Sequence, residues 1–371
     1  MRVVAVSTWF PTALAPSSGT FVAKDVQAVA RHHDVDVVHL VPPHQDDGTR
    51  HVVHEGIRVR RVPMATTRPD SIARAAGELR RLLDGADLVH TMAFSTLLPL
   101  AWWRPQAPWV HTEHWSGLTT PQTLPRSWQL VLPVLSRLQS RPDVTTAVCD
   151  FLARRIRQDR SGPTDIVPCI VPPLEVPPPR PAPGPLLRLV GVGGLMERKD
   201  PIVAVRTIAE LRDRGTPASL TWAGEGPLRE EVLAEASRLG VADQVNLLGN
   251  QSTEGVSRAL AVADMFFLPT RADNFCVSAA EALVHGRPVV VGATGGQGEY
   301  IDPAVGALVD EQDPRAYADT ITRVAAATRD LDAETIAATI GDRFSVPAVA
   351  RGYDAAYQRA VAIRSGQGVG G

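Results

Sequence analysis

Short runs of β-branched residues alternate with longer segments of helical period along the first half of the chain. Residues 3–8 (VVAVST) form one such run, and residues 21–33 (FVAKDVQAVARHH) then carry apolar side chains at helical spacing. Between them lies a loop rich in Pro, Ser and Gly that ends at Gly19-Thr20. The rhythm continues with a strand at 35–41, an alternating, half-exposed strand at 57–64, and an amphipathic helix at 71–85 that stops at Gly85. Three more short strands follow at 87–92, 108–114 and 143–149. Apolar strands separated by helices predict a parallel sheet covered on both faces.

The pattern breaks at residues 167–185, VPCIVPPLEVPPPRPAPGP. Proline fixes φ and lacks an N–H, so this segment continues neither a helix nor a central strand and reads as a stiff linker. The strand–helix rhythm then restarts with LRLVGVGGL and runs through SLTWAGEG, QVNLLG, MFFLPT and RPVVVGAT. Two such halves predict two Rossmann-like domains facing across a cleft: 1–170, a linker at 171–185, and 186–345. A C-terminal crossover helix at 346–364 is expected to pack back on the first domain, ahead of a disordered tail at 365–371. Ligands of open parallel sheets sit beyond the carboxyl ends of the strands, so the cleft is the expected site.

Composition narrows the class without naming a chemistry. The chain has 371 residues, 44% of them apolar, and a net charge of −2 from 38 basic and 40 acidic residues. That balance argues against a nucleic-acid binder. No run is long and apolar enough to span a bilayer, and MRVVAVSTWFP lacks the features of a signal peptide, so a cytoplasmic protein is expected. Cys149, Cys169 and Cys276 are odd in number and far apart, which disfavours a disulfide framework or a zinc site. Oligomeric state is left open.

The candidate chemistry gathers at predicted strand ends of the second half. Gly193-Gly194 followed by Arg198-Lys199 places flexible backbone and two cations where an anion could bind. Gly224–Gly226, Gly249 and Gly295-Gly296 are further glycine turns. Tight turns use glycine anyway, so each alone is weak; together they favour one nucleotide bound across several turns. Asp273 and Glu281 frame RADNFCVSAAEALVHGRPVVV, one acid in a loop and one near the first turn of the next helix. As an ordinary acid at a helix start, Glu281 would only complement the macrodipole. In the alternative reading both acids hold sugar hydroxyls, while the amides of Phe275, Cys276 and Val277, next to Asn274, face the same cavity.

These motifs, in this order, resemble those of the retaining GT-B glycosyltransferases of family 4. The acid pair reads D-N-F-C-V-S-A-A-E, then G-R-P-V-V and G-A-T-G-G; the phosphate turn is matched by Gly193–Asp200 and a second turn by Gly224-Glu225-Gly226-Pro227. The resemblance implies that Glu281 binds the ribose, Asp273 the donor sugar, and Lys199, helped by Arg198, the diphosphate. Gly249 and the Gly224–Gly226 turn would lie near the base. His114 would contact donor sugar and acceptor, and the Gly19-Thr20 loop would close over the phosphate. The implied donor is a nucleoside-diphosphate sugar of UDP or GDP type, with no cofactor and no metal. The acceptor would be a small molecule, lipid or glycan on the loops at 8–18, 91–95 and 116–127.

Three positions depart from the family pattern. Asp273 replaces a glutamate, Gly194 stands where an arginine is usual, and Cys169 replaces an asparagine. They keep open a non-catalytic sugar-nucleotide binder, or a GT-B epimerase. Residues 126–141 mix apolar and basic side chains. Pro133 interrupts them and no lysine cluster accompanies them, so a helix packed on the first domain is expected, with membrane-surface contact the disfavoured reading.

Overall fold

The computed structural model describes residues 1–366, so most of the segment expected as a disordered tail lies outside the described residues. The chain divides into two compact units, Met1–Ile170 with the segment from Ser345 onward, and Val171–Phe344.

The first unit is built on eight strands: β1 (Arg2–Ser7), β2 (Asp34–Val41), β3 (His51–His54), β4 (Ile57–Pro63), β5 (Leu88–Met92), β6 (Trp109–Glu113), β7 (Val144–Ala147) and β8 (Thr164–Ile166). They lie in the order β3-β4-β2-β1-β5-β6-β7-β8, parallel except for the β3–β4 hairpin. Helices α1 (Thr20–Ala30), α2 (Pro69–Leu82), α3 (Arg126–Leu135) and α4 (Asp150–Arg157) connect them. Val3, Val37, Leu88, Val110 and Val144 are fully or almost fully buried, as expected of strands with helices on both faces.

The second unit is an all-parallel sheet of six strands: β9 (Leu187–Val192), β10 (Ala218–Ala223), β11 (Val245–Gly249), β12 (Met265–Leu268), β13 (Val289–Gly292) and β14 (Gly306–Val309). Their order is β11-β10-β9-β12-β13-β14, the doubly wound arrangement with a reversal between β9 and β12. Its helices are α5 (Pro201–Asp213), α6 (Arg229–Arg238), α7 (Thr253–Ala261), α8 (Val277–Val284), α9 (Pro314–Ala327) and α10 (Ala333–Ala338).

The last helix, α11 (Val346–Arg364), returns to the first unit. Tyr353 and Tyr357 are fully buried there. The Tyr357 hydroxyl lies 2.8 Å from His90 Nδ1, and His90 Nε2 lies 2.6 Å from the Thr112 hydroxyl. Burial pushes the His90 pKa down to about 3, so the ring is neutral and serves the core as a hydrogen-bonding group. Asp354 ties the helix further, 2.6 Å from His32 and 2.8 Å from His33.

One expectation is corrected here. The α3 helix runs through Pro133, which stands in its last turn, where a missing N–H costs a single bond; a 3-10 turn over Ser136–Ser140 takes over. Nor is the helix packed along its length. Leu132 is its one buried residue, with Trp128 and Leu135 half-buried, while Leu130, Val131 and Val134 are exposed.

Candidate active site

In the second unit the strand order reverses between β9 and β12, and doubly wound sheets bind ligands beyond the carboxyl ends of the strands at such a reversal. The turn after β9 and the loop after β12 meet there. Lys199, only 8% exposed, places its ammonium against Asp273 Oδ2. Arg198 Nη1 lies 3.3 Å from the same oxygen and donates to the Ala272 carbonyl at 3.0 Å. Asp273 Oδ1 accepts the Cys276 N–H at 3.2 Å. Burial opposes ionisation of Asp273, but the charges of Lys199 and Arg198 overcome it and hold its pKa at about 2. The sequence-predicted cation pair and the first acid therefore form one cluster.

The loops are fixed by their backbones. Asp200, left-handed at φ 48° and ψ 54°, caps α5 by accepting the Val203 N–H and pairs with Arg271 at 2.7 Å. Arg271 N–H and the Thr270 hydroxyl both donate to the Arg198 carbonyl. Cys276 is the N-cap of α8, also left-handed at φ 60°. Its thiol is pushed up to about 11 by burial and by the Asp273 charge, so it is neutral and no nucleophile at pH 7.

Several glycine and loop assignments change. The Gly193 N–H bonds the Ala223 carbonyl and the Gly224 N–H bonds the Gly249 carbonyl, so neither amide is an anion donor. These glycines serve close approach instead. A Cβ at Gly224, where φ is +146°, would stand 2.0 Å from the Gly193 oxygen, and one at Gly226 would stand 2.4 Å from the Leu195 oxygen. Gly249, at φ +70°, ends β11 beside Glu225. The Cys276 amide is taken by Asp273, not turned to a ligand. Phe275 is a core residue, its ring 5.2 Å from Tyr300 and 4.9 Å from Phe344. Asn274 is buried beside it. Val277 opens α8, where the first N–H groups of a helix have no partner within the helix. Glu281 is the fifth residue of α8, a turn further in than expected, because the helix starts at Val277; it is half-buried. Gly194 has an ordinary backbone, and a Cβ there would meet only the flexible end of Met196 closely, at 2.6 Å.

In the first unit, His114 follows β6. The buried Glu113 fixes the turn by accepting the N–H groups of His114 and Trp115, both at 2.9 Å. The His114 side chain is 6% exposed, with Nε2 3.4 Å from Asp25 Oδ2 and its ring 4.8 Å from that of Phe21. Phe21 and Asp25 lie four apart on α1 and so face the same way. Gly19 is the N-cap of α1 at φ +67°, and a Cβ there would lie 2.2 Å from the Trp9 backbone. Thr20, the first residue of α1, is exposed. Asp25 escaped the sequence reading. Its signal was present: an acid between Val22 and Val26 on the buried side of an amphipathic helix.

Among the described residues no group of three or more His, Cys, Asp or Glu side chains could hold a metal ion, and no helix is long and apolar enough to cross a membrane.

The comparisons with known proteins agree with this architecture. Residues 20–173 match the model of Glycosyltransferase Family 4, and residues 187–327 that of Glycosyl transferases group 1. Sucrose-phosphate synthase from Thermosynechococcus elongatus superposes with a TM-score of 0.79 at 18% identity, covering 98% of this chain and 100% of that one. HepE from Anabaena, solved in complex with UDP and glucose, gives 0.74 at 15% identity, with 96% and 99% covered. The protein thus has the GT-B fold. It belongs to the group 1 transferases of glycosyltransferase family 4. Among curated relatives, D-inositol 3-phosphate glycosyltransferase of Mycolicibacterium gilvum is 34% identical over 175 residues, 46% of this chain and 40% of that protein. The enzyme of the same description from Mycolicibacterium vanbaalenii is 32% identical over 197 residues, 47% and 44%. The matches thus span less than half the length of these curated relatives.

Proposed function

We propose that the protein transfers a sugar from a nucleoside-diphosphate sugar, of UDP or GDP type, to a hydroxyl of a small-molecule, lipid or glycan acceptor, with retention and without a metal. The observation that carries this is the Lys199–Asp273–Arg198 cluster at the reversal point of the second sheet. One carboxylate against two cations leaves an excess positive charge beside the first turn of α8, a setting for a diphosphate. On binding, the diphosphate takes over Lys199 and Arg198, and the carboxylate of Asp273 turns to the sugar hydroxyls. Glu281, a turn further along α8, holds the ribose. Charge developing on the leaving diphosphate is then met by groups already in place. His114, buried against Asp25 and Phe21, holds the transferred sugar and the acceptor hydroxyl. With Cys276 neutral, the departing phosphate oxygen takes the acceptor proton. The UDP in the HepE structure and the polyhydroxylated acceptor named for the inositol-phosphate relatives support these donor and acceptor classes.

Thermal unfolding in the presence of UDP, GDP and dTDP tests the donor assignment. One of the three is expected to raise Tm selectively, and Glu281→Ala to abolish that shift. No shift with any of them sinks the donor assignment. A selective shift without turnover of any sugar nucleotide identifies a non-catalytic binder. Restoring the family arginine gives a second check. A Cβ at Gly194 crowds only the flexible end of Met196, with the Glu225 carbonyl at an ordinary 3.4 Å, and Gly194→Arg adds a cation to the turn, so nucleoside diphosphate is expected to bind roughly tenfold more tightly. Unchanged affinity would place the diphosphate away from this turn.

A further inference from the structure

We propose that Glu113 is the positioning residue that sets the His114 ring, and that Gln139, from the 3-10 turn after α3, locks it in place. This rests on the reading of His114 as the group that holds the transferred sugar and the acceptor hydroxyl. Glu113 ends β6 and is fully buried, without a Lys or Arg ion pair among the described residues. Four donors converge on it instead. Oε1 accepts the N–H groups of His114 and Trp115, both at 2.9 Å. Oε2 accepts the Gln139 Nε2–H at 2.6 Å and lies 3.4 Å from His111 Nε2. The Thr91 hydroxyl, which accepts the Trp109 indole N–H at 2.8 Å, lies 2.9 Å from His111 Nδ1. Its own hydrogen then points at Nδ1, which leaves the Nε2–H to donate to Glu113. An ionised carboxylate, which only accepts, satisfies all four, and with both oxygens held it cannot rotate.

The partners are themselves fixed. Gln139 is buried, and its main-chain carbonyl, with those of Pro142 and Asp143, accepts from the guanidinium of the buried Arg160, each at 2.8 Å. Its side-chain oxygen is buried with no hydrogen-bond partner among the described residues, so the bond to Glu113 alone orients the amide. Stability does not account for this pair. A buried carboxylate without a Lys or Arg partner and a half-satisfied amide both cost free energy, and apolar residues of like volume would cost less. What the pair supplies is register. Gln139 stands 26 positions from Glu113, so one hydrogen bond ties the end of the α3 segment to the turn that carries His114. The oxygen that holds the His114 amide also holds that of Trp115. The Trp115 indole lies so close to Gly117 that a Cβ there would stand 2.3 Å from a ring carbon. From one buried point Glu113 therefore sets both the histidine and the aromatic residue that opens the 116–127 loop.

NMR of the full chain carrying isotope-labelled histidine reads the His114 ring without donor or acceptor. Its cross-peak is the one missing from His114→Ala. Gln139→Met removes the amide donor at nearly constant volume and leaves the Glu113 charge and the turn in place. It is expected to shift or broaden the His114 cross-peak and to lower kcat with UDP-glucose by about tenfold, with donor KM and the UDP-induced Tm shift at parental values. Glu113→Gln keeps an oxygen for both turn amides and removes the charge, so it is expected to displace the same cross-peak and lower kcat further. Should Glu113→Gln fail to fold, Gln139→Met decides alone. A lowered Tm with the cross-peak and kcat at parental values would overturn the proposal and leave the pair a part of the core. Parental turnover in His114→Ala, with the cross-peak still displaced in the other two variants, would instead sink the reading of His114 and leave the positioning of its ring standing.

Discussion

A Lys199→Met variant is expected to be less stable than the parent at pH 7 by roughly 3 kcal/mol, and to lose nucleotide-dependent stabilisation altogether. Methionine keeps most of the apolar stem of Lys199, so the change isolates the ammonium. Without it the buried Asp273 carboxylate keeps only Arg198, at 3.3 Å, and the Cys276 amide, at 3.2 Å. The pH dependence identifies the cause. Asp273 is held at about 2, below its ordinary 3.8, so its ionised form stabilises the fold above pH 4 and that contribution fades as pH falls toward 2. The shift corresponds to about 2 kcal/mol at neutral pH. In the variant burial prevails, the carboxyl protonates at higher pH, and its burial then costs little. The stability gap between variant and parent should therefore shrink as urea titrations move from pH 7 to pH 3. A gap of constant size would mean that Lys199 contributes packing alone. Loss of the diphosphate cation should also lower kcat/KM by about a thousandfold, the scale of removing one preorganised electrostatic partner.

Both sheets were legible in the sequence because a parallel strand buried on two faces reads as a continuous β-branched run, and Val3–Val6 or Val289–Val291 need no alternation to be seen. The Lys199–Asp273–Arg198 cluster was legible in its residues more than in its geometry. Lys199 and Asp273 meet because β9 and β12 are neighbours, and that adjacency is a fact of topology no local pattern records. The glycines show the same limit. Gly193 read as part of an anion cradle and Gly224 as part of a turn near the base, yet what both provide is backbone crossing between adjacent β9 and β10, visible only once the strands are side by side. The start of α8 was misplaced because its N-cap is a left-handed cysteine, a residue with no propensity for that role. In α3, Pro133 was weighed as a breaker although a proline in a final turn breaks little, and the exposure of Leu130 follows from how few residues on the other side reach the core.

His114→Ala is expected to leave the Tm shift with nucleoside diphosphate intact while lowering transfer on the order of a thousandfold. The separation follows from the fold: the cations and acids proposed to hold the nucleotide lie in the second unit, and His114 just after β6 of the first. In the proposed site Asp25 acts through His114. It is 2% exposed on α1, with Oδ2 3.4 Å from His114 Nε2, and Phe21 one turn earlier closes on the ring. A buried carboxylate beside an imidazole fixes its tautomer and orientation. Asp25→Asn keeps shape and removes charge, so it should lower kcat by about tenfold to a hundredfold with little change in donor KM. The double variant decides whether the two residues act as a unit. If they do, adding Asp25→Asn to His114→Ala costs nothing further in kcat, because the ring it orients is already gone. Additive losses would show that Asp25 supports the fold of α1 alone, and parental turnover in His114→Ala would remove the histidine from the reaction.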